Sequence, residues 1–260
     1  VKTTVTIRDK TKHDISNFTI KVNGFESGDM RVSEVVLNKF STKGKFVDII
    51  HEIDVPVGYG FGSSAAVALS LSIALNDALE CKLSKIKVAQ IAHDVEIECK
   101  TGLGDVLASY HGGFEIRVKP GAPGIGEVKK INSKEKRDVI IICFNPISTK
   151  KFLSERISLI NGLGGKMVNK LIESKDTEEF QDMSVEFAKY VNVMTPRMNK
   201  VVDELSQNNI KCGIALFGET IFSMIPKENE NKILKILEKY SDGIIIKSEL
   251  DDTGARVLYN

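Results

Sequence analysis

With 36 basic against 35 acidic residues in 260, the chain has no overall field to draw nucleic acid or an anionic membrane, and its length suffices for one large domain or two smaller ones. The four cysteines, Cys81, Cys99, Cys143 and Cys212, form neither a C-x-x-C pair nor a Cys/His cluster of zinc-ligand spacing, which fits reduced thiols in a cytoplasmic protein. No apolar run approaches the roughly 20 residues that span a bilayer, and no secretory signal is visible. The chain opens at Val1 already in a strand pattern, so an upstream segment is expected.

Period-two alternation predicts strands at Thr4–Arg8 and Phe18–Val22, and helical spacing predicts a helix from Val32 to Phe40. A strand from Phe46 to Val55 stops at Pro56. After a Gly/Ser-rich stretch, an apolar helix runs from about Ser64 to Leu79. Ser84 is placed to cap the next helix, which continues to about Lys100 and stops at Thr101-Gly102. Asp105 opens a short helix, Gly112-Gly113 turns the chain, and Phe114–Val118 alternates as a strand. The Pro120–Gly124 run breaks regular structure, and a charged stretch precedes a strand at Val139–Phe144. Helices then dominate from Ser148 to Gln207. A strand–turn–strand at Gly213–Ile225, a helix at Glu228–Tyr240 and two last strands complete the chain. Because strands and helices do not alternate throughout as βαβ units, the class is α+β, with a domain boundary near residue 136 separating 1–136 from 137–260.

The strongest local signal is Pro56-Val57-Gly58-Tyr59-Gly60-Phe61-Gly62-Ser63-Ser64-Ala65-Ala66. Glycines at alternate positions let a ligand approach the main chain, and Ser63 and Ser64 stand where a helix begins. The free amides and the positive dipole end of that helix suit phosphate, and the following alanines keep its first turns slim. No G-K-[ST] follows, so this is not a Walker A loop, and the glycine spacing is not that of a dinucleotide fold. Glycines alone fit an ordinary turn equally well.

A second constellation runs from His93 to Asp105. His93 and Glu96 lie about one helical turn apart on one face, and Asp105 follows a G-x-G turn at a helix start. An ionised aspartate can take a proton from a hydroxyl, and a glutamate oxygen suits Mg²⁺. Singly, each residue is read as readily as a solvated helix carboxylate, a plain cap or a surface histidine. On the strand that follows, Glu115 and Arg117 should project opposite the apolar Phe114, Ile116 and Val118. Arg117 could grip a carboxylate bidentately, or simply pair with Glu115.

The loop as a whole resembles the second signature motif of the GHMP kinase superfamily, P-x-G-x-G-L-G-S-S-A-A, with Phe61 in place of the usual Leu. The order of a glutamate after the loop helix, a glycine turn and then an aspartate also matches. The resemblance implies a two-domain GHMP kinase fold, with a ribosomal-protein-S5-like N-terminal domain, a ferredoxin-like C-terminal domain and the active site in the cleft between them. It implies ATP and Mg²⁺ as cofactors. Gly58, Gly60, Phe61, Gly62, Ser63, Ser64 and Ala65 would surround the nucleotide phosphates, Ser64 and Glu96 would hold the metal, and Asp105 would face the attacking hydroxyl as base or orienting group.

Within the superfamily, the runs Thr101–Val106, Gly112–Arg117, Lys119–Gly124 and Asn145–Lys150 are similar to the archaeal pantoate kinases. That likeness implies phosphorylation of the primary hydroxyl of (R)-pantoate to 4-phosphopantoate in coenzyme A biosynthesis. Arg117 would hold the carboxylate and His93 the other hydroxyl. Family habit implies a homodimer. Two departures stand out: the family's N-terminal P-G-H-type segment is absent, and the third motif, Cys212–Thr220, carries bulky Leu216 and Phe217 where Gly and Ala are usual. Homoserine- or mevalonate-type kinases, a decarboxylase of the same fold, and a non-catalytic nucleotide-binding protein stay open as alternatives.

Overall fold

A computed structural model describes residues 1–26, 30–102, 104–131, 137–147 and 149–258. The boundary expected near residue 136, Leu103 of the expected G-x-G turn and Ser148 lie outside the described residues.

Four strands, β1 (Lys2–Asp9), β2 (Phe18–Val22), β3 (Phe25–Glu26) and β4 (Lys45–Glu52), form one sheet in the order β1-β4-β2-β3. β4 runs antiparallel to β1 and parallel to β2. It stops at Glu52, three residues before the expected end at Val55. Its inward residues Val47, Ile49 and His51 are buried, as period-two alternation requires. Against this sheet lie α1 (Arg31–Asn38), α2 (Ser63–Ala78) and α3 (Lys85–Cys99), followed by the short α4 (Asp105–His111). α2 is apolar nearly all round, with Ala65, Ala68, Leu69, Leu71 and Leu75 buried, because it sits between β1 and the other three helices.

The second sheet has the order β10-β7-β9-β8, all antiparallel, from β7 (Arg137–Pro146), β8 (Gly213–Ala215), β9 (Gly218–Pro226) and β10 (Ile244–Glu249). Helices α5 (Thr149–Ser174), α6 (Thr177–Tyr190) and α7 (Pro196–Gln207) connect β7 to β8, and α8 (Glu230–Leu237) connects β9 to β10. In chain order the sheet reads fourth, first, third, second, with helical crossovers flanking a hairpin. This is the ferredoxin-like arrangement, and the whole is α+β as expected. Each sheet has its own core, drawn from residues between Ile20 and Val106 on one side and between Ile140 and Tyr240 on the other.

Two features stitch the halves together. A ribbon of β5 (Glu115–Lys119) and β6 (Glu127–Lys130) buries Ile116 with Leu171 of α5 and Met183 of α6, and Phe114 meets Phe180 edge-on at 4.8 Å. Among the described residues the second of the two expected final strands does not form. After β10 the chain crosses back to α4, where Ala255 N–H donates to Ser109 O at 2.8 Å and Gly113 N–H donates to Asp251 O at 2.7 Å. The reason is local: Asp251 Oδ1 accepts from Thr253 N–H and Gly254 takes φ +69°, so the segment turns instead of extending. No helix among the described residues is long and apolar enough to cross a membrane. All four cysteines are free, and burial pushes the Cys212 thiol up to about 12, which makes it an inert core group.

His51 ties the first sheet to its helices. It is 1% exposed; its ring nitrogens bond the Thr3 hydroxyl at 2.9 Å and the Ser33 hydroxyl at 3.0 Å, and Thr3 in turn meets Ser70 at 2.6 Å. Burial lowers its pKa from 6.5 to about 4. The unfolded chain therefore binds a proton that the folded one refuses between those values, and stability falls as pH drops through that window. The expected loss is on the order of 3 kcal/mol between pH 6.5 and 4. Urea unfolding at several pH values should show a shallower acid decline for His51→Gln than for the wild type.

Candidate active site

The chain enters α2 through Gly62, which takes the left-handed conformation at φ +63° and supplies no side chain to cap the helix. The first amides, of Ser63, Ser64 and Ala65, have no carbonyl within their own helix to bond. Gly58, Gly60 and Gly62 all have positive φ, so the loop curls and brings its backbone round the helix mouth. Phe61 is half-buried beside them.

The third-motif turn braces this loop. A Cβ on Gly60 would lie 2.6 Å from Leu216 O, and one on Gly218 only 2.0 Å from Tyr59 O. Thr220, fully buried, donates its hydroxyl to the same Tyr59 O at 2.8 Å. The β8–β9 turn thus supports the glycine loop through backbone contact. This resolves the bulky Leu216 and Phe217: their main chain, with Phe217 at φ +69°, forms the turn that packs there. Thr220→Val keeps the shape and removes the donor, stranding a carbonyl. We expect a loss of about 1–3 kcal/mol, read from denaturant unfolding.

Glu96 sits three turns along α3 and is 2% exposed. Its Oε2 accepts from the Ser64 hydroxyl at 3.1 Å and its Oε1 from the Thr101 hydroxyl at 2.6 Å. Burial pushes its pKa up, the two hydroxyls pull it down, and nearby Asp105 adds a smaller upward push. α3 begins as expected, with the Ser84 hydroxyl accepting from Lys87 N–H, and ends on Lys100 in the left-handed conformation, which swings Thr101 under Glu96. Gly102 fits that bend because a Cβ there would lie 2.4 Å from Glu96 Oε2.

Asp105 opens α4 directly beside the glycine loop, with its Cβ 3.0 Å from where a Cβ on Gly62 would be. Arg117 reaches over from β5. Its Nη2 is 4.0 Å from Asp105 Oδ1 and its Nε is 3.9 Å from Glu115 Oε1. The Nη1 end of the guanidinium packs against Gly104, where a Cβ would fall 1.4 Å from Nη1 and 3.1 Å from Nε. Ser64, Glu96, Asp105 and Arg117 therefore converge at the mouth of α2. His93, half-buried one turn before Glu96, makes no hydrogen bond among the described residues and stays at the edge of this group. Sequence alone did not point to Thr101 or Thr220, whereas Glu115 was already read as a possible partner of Arg117. Thr101 read as a helix stop, and the partner of Thr220 lies far away in the chain.

The arrangement offers amides for an anion, a pair of oxygens for a hard cation, an aspartate open to solvent on 47% of its side chain, and an arginine. A cavity of 670 Å³ lies elsewhere, between β1, α2 and residues 251–258, and touches none of Ser64, Glu96, Asp105 or Arg117.

Comparison with known proteins agrees with this geometry. The family profile described as GHMP kinases N terminal domain matches residues 30–113. The pantoate kinase of Methanocaldococcus jannaschii is 34% identical over 193 residues, covering 74% of this chain and 69% of that protein. The pantoate kinase of Thermococcus kodakarensis is 28% identical over 193 residues, covering 74% and 63%. Among solved structures, a phosphotransferase related to the CoA biosynthesis pathway superposes with TM-score 0.83 at 24% identity, covering 97% of this chain and 83% of that one. L. major mevalonate kinase in complex with R-mevalonate superposes at 0.73 with 13% identity, covering 97% and 87%. At those identities the two structures speak for the fold alone. Fold and site together define a GHMP-type small-molecule kinase. Within that class, the chain belongs to the pantoate kinase family.

Proposed function

We propose that this chain transfers the terminal phosphoryl group of ATP to the primary hydroxyl of (R)-pantoate, giving 4-phosphopantoate and ADP on the route to coenzyme A. The observation that carries the reading is the convergence of Arg117 and Asp105 beside the mouth of α2, next to the Ser64–Glu96 oxygen pair. A guanidinium suits the carboxylate of the acceptor, and the aspartate is placed to meet its alcohol.

The N-terminal half, 1–136, holds the phosphates on the amides of Ser63, Ser64 and Ala65, with Gly58, Gly60, Phe61 and Gly62 shaping the loop. The C-terminal half, 137–260, braces that loop through the β8–β9 turn. The residues fit Mg²⁺: Glu96 is a buried carboxylate whose ionised form is disfavoured without a nearby cation, and the Ser64 hydroxyl lies 3.1 Å from it. Bound there, Mg²⁺ would neutralise charge on the phosphate oxygens. Asp105 takes the proton of the attacking hydroxyl as the new O–P bond forms, and the bond electrons of the leaving phosphate depart with ADP. Arg117 holds the acceptor carboxylate, and His93 is assigned its secondary hydroxyl.

A coupled ADP-release assay over pantoate, homoserine, mevalonate and a sugar panel tests the reading. Turnover of pantoate alone is expected. Turnover of homoserine or mevalonate with none of pantoate would reject the acceptor, and nucleotide binding without turnover of any alcohol would reject catalysis.

A further inference from the structure

β5 places two charged side chains on one face, Glu115 and Arg117, and the more buried of them has no assigned role. The Glu115 side chain is 7% exposed. Its Oε2 is buried without a hydrogen bond, and so is Nε of Arg117 beside it. The 3.9 Å between Glu115 Oε1 and Arg117 Nε is too long for a hydrogen bond and short enough for strong attraction between charges in a half-enclosed site.

The surroundings of the guanidinium are asymmetric. Glu115 faces its Nε edge, Gly104 lies against Nη1, and Asp105 stands beyond Nη2. Two buried orphan atoms on adjoining residues are costly, and no other described side chain bonds Glu115 to offset that cost. Burial pushes the Glu115 carboxyl up, Arg117 opposes this, and Asp105 adds to it. A carboxylate held under such conditions adds little to the stability of the ribbon. Among the described residues its one ion-pair partner is Arg117, because Lys130, opposite it on β6, donates to His111 O and Asp252 O instead.

We infer that Glu115 is a positioning residue for Arg117: it occupies the Nε edge of the guanidinium, so that an acceptor carboxylate meets the Nη1–Nη2 end beside Asp105. An arginine can bind a carboxylate through either of two edges, Nε with one Nη or the two Nη together. Blocking the first fixes the second. The choice matters because it sets where the acceptor's hydroxyl falls relative to Asp105. The missing side chain of Gly104 leaves room for Nη1, and the acid at the Nε edge restrains the guanidinium from rotating. The inference rests on the reading of Arg117 as the carboxylate binder.

A double-mutant cycle tests it, using kcat/KM for the best-used hydroxy acid and for its neutral amide, together with KM for ATP. Glu115→Gln should lower kcat/KM for the acid at least about tenfold and leave the ATP KM within about twofold. Glu115→Asp, which keeps the charge, should restore part of the loss. In an Arg117→Lys background, where no planar fork remains to orient, Glu115→Gln should change kcat/KM by less than about twofold. An equal loss in both backgrounds, or a Glu115→Gln enzyme within twofold of wild type, overturns the inference while leaving Arg117 as the carboxylate binder. If Arg117→Lys itself spares the acid as much as the amide, both the carboxylate reading and the role of Glu115 fall. Should Glu115→Gln fail to fold, Glu115→Ala enters the same cycle under the same criterion.

Discussion

Replacing Asp105 by asparagine lowers turnover by about 10²- to 10⁴-fold while KM for ATP stays within about twofold. The side chain is nearly half exposed and caps nothing, so the fold does not depend on its charge. Asparagine keeps the volume that packs beside Gly62 and loses the negative charge that faces Arg117, and with it the capacity to accept a proton. The nucleotide should sit on the amides of α2, which the substitution does not touch. Steady-state kinetics with ATP and acceptor varied separately, alongside a thermal melt, checks both halves of the expectation. Turnover close to that of wild type would show that Asp105 orients the alcohol without taking its proton.

The second large effect has two opposite signs. Glu96→Gln should cut turnover about 10²- to 10³-fold, because a neutral amide is a poor ligand for a hard cation, and the Mg²⁺ requirement should rise with it. The same substitution should make the protein more stable at neutral pH. Burial raises the folded-state pKa of Glu96 above its unfolded value. The folded state then binds a proton more readily than the unfolded one, so stability is lost as pH rises from the unfolded pKa through the folded one. Above that window the ionised carboxylate stays a burden until a cation relieves it. Gln removes the burden and can still meet the hydroxyls of Ser64 and Thr101. A higher melting point with far lower turnover is the expected pair, and adding Mg²⁺ should narrow the gap in melting point. A lower melting point in the metal-free variant would mean that the hydroxyl bonds outweigh desolvation.

Much of this site was legible in the sequence where the signal is local. Ser84 announces α3 and does cap it, because a hydroxyl one residue before a helix bonds an amide two or three positions on. The alternate glycines ahead of Ser63 announce the curled loop, because positive φ at three close positions admits little else. The resemblance singled out Glu96 and Asp105 by their order after that loop, alternation put Arg117 on a short strand, and the fold brings the three side chains together. What stayed hidden depends on partners distant in the chain. Gly218 and Thr220 lean on Tyr59, and their only trace in the sequence is a glycine whose missing Cβ makes room for a carbonyl more than 150 positions away. Thr101 bonds Glu96 only because Lys100 turns left-handed, a conformation a lysine does not advertise. The last expected strand failed for a related reason: alternation said extend, while Asp251 and Gly254 fold the segment back on α4.

That return of residues 251–255 to α4 bears on how the protein is born. The short helix that presents Asp105 receives two of its neighbouring backbone partners, at Ser109 and Gly113, from a stretch made long afterwards by the ribosome. A nascent chain carrying the complete glycine loop and all its acids would still lack that clasp. The backing of the helix that carries Asp105 is therefore completed only after both sheets have been made, which ties the order of that helix to the folding of the second half.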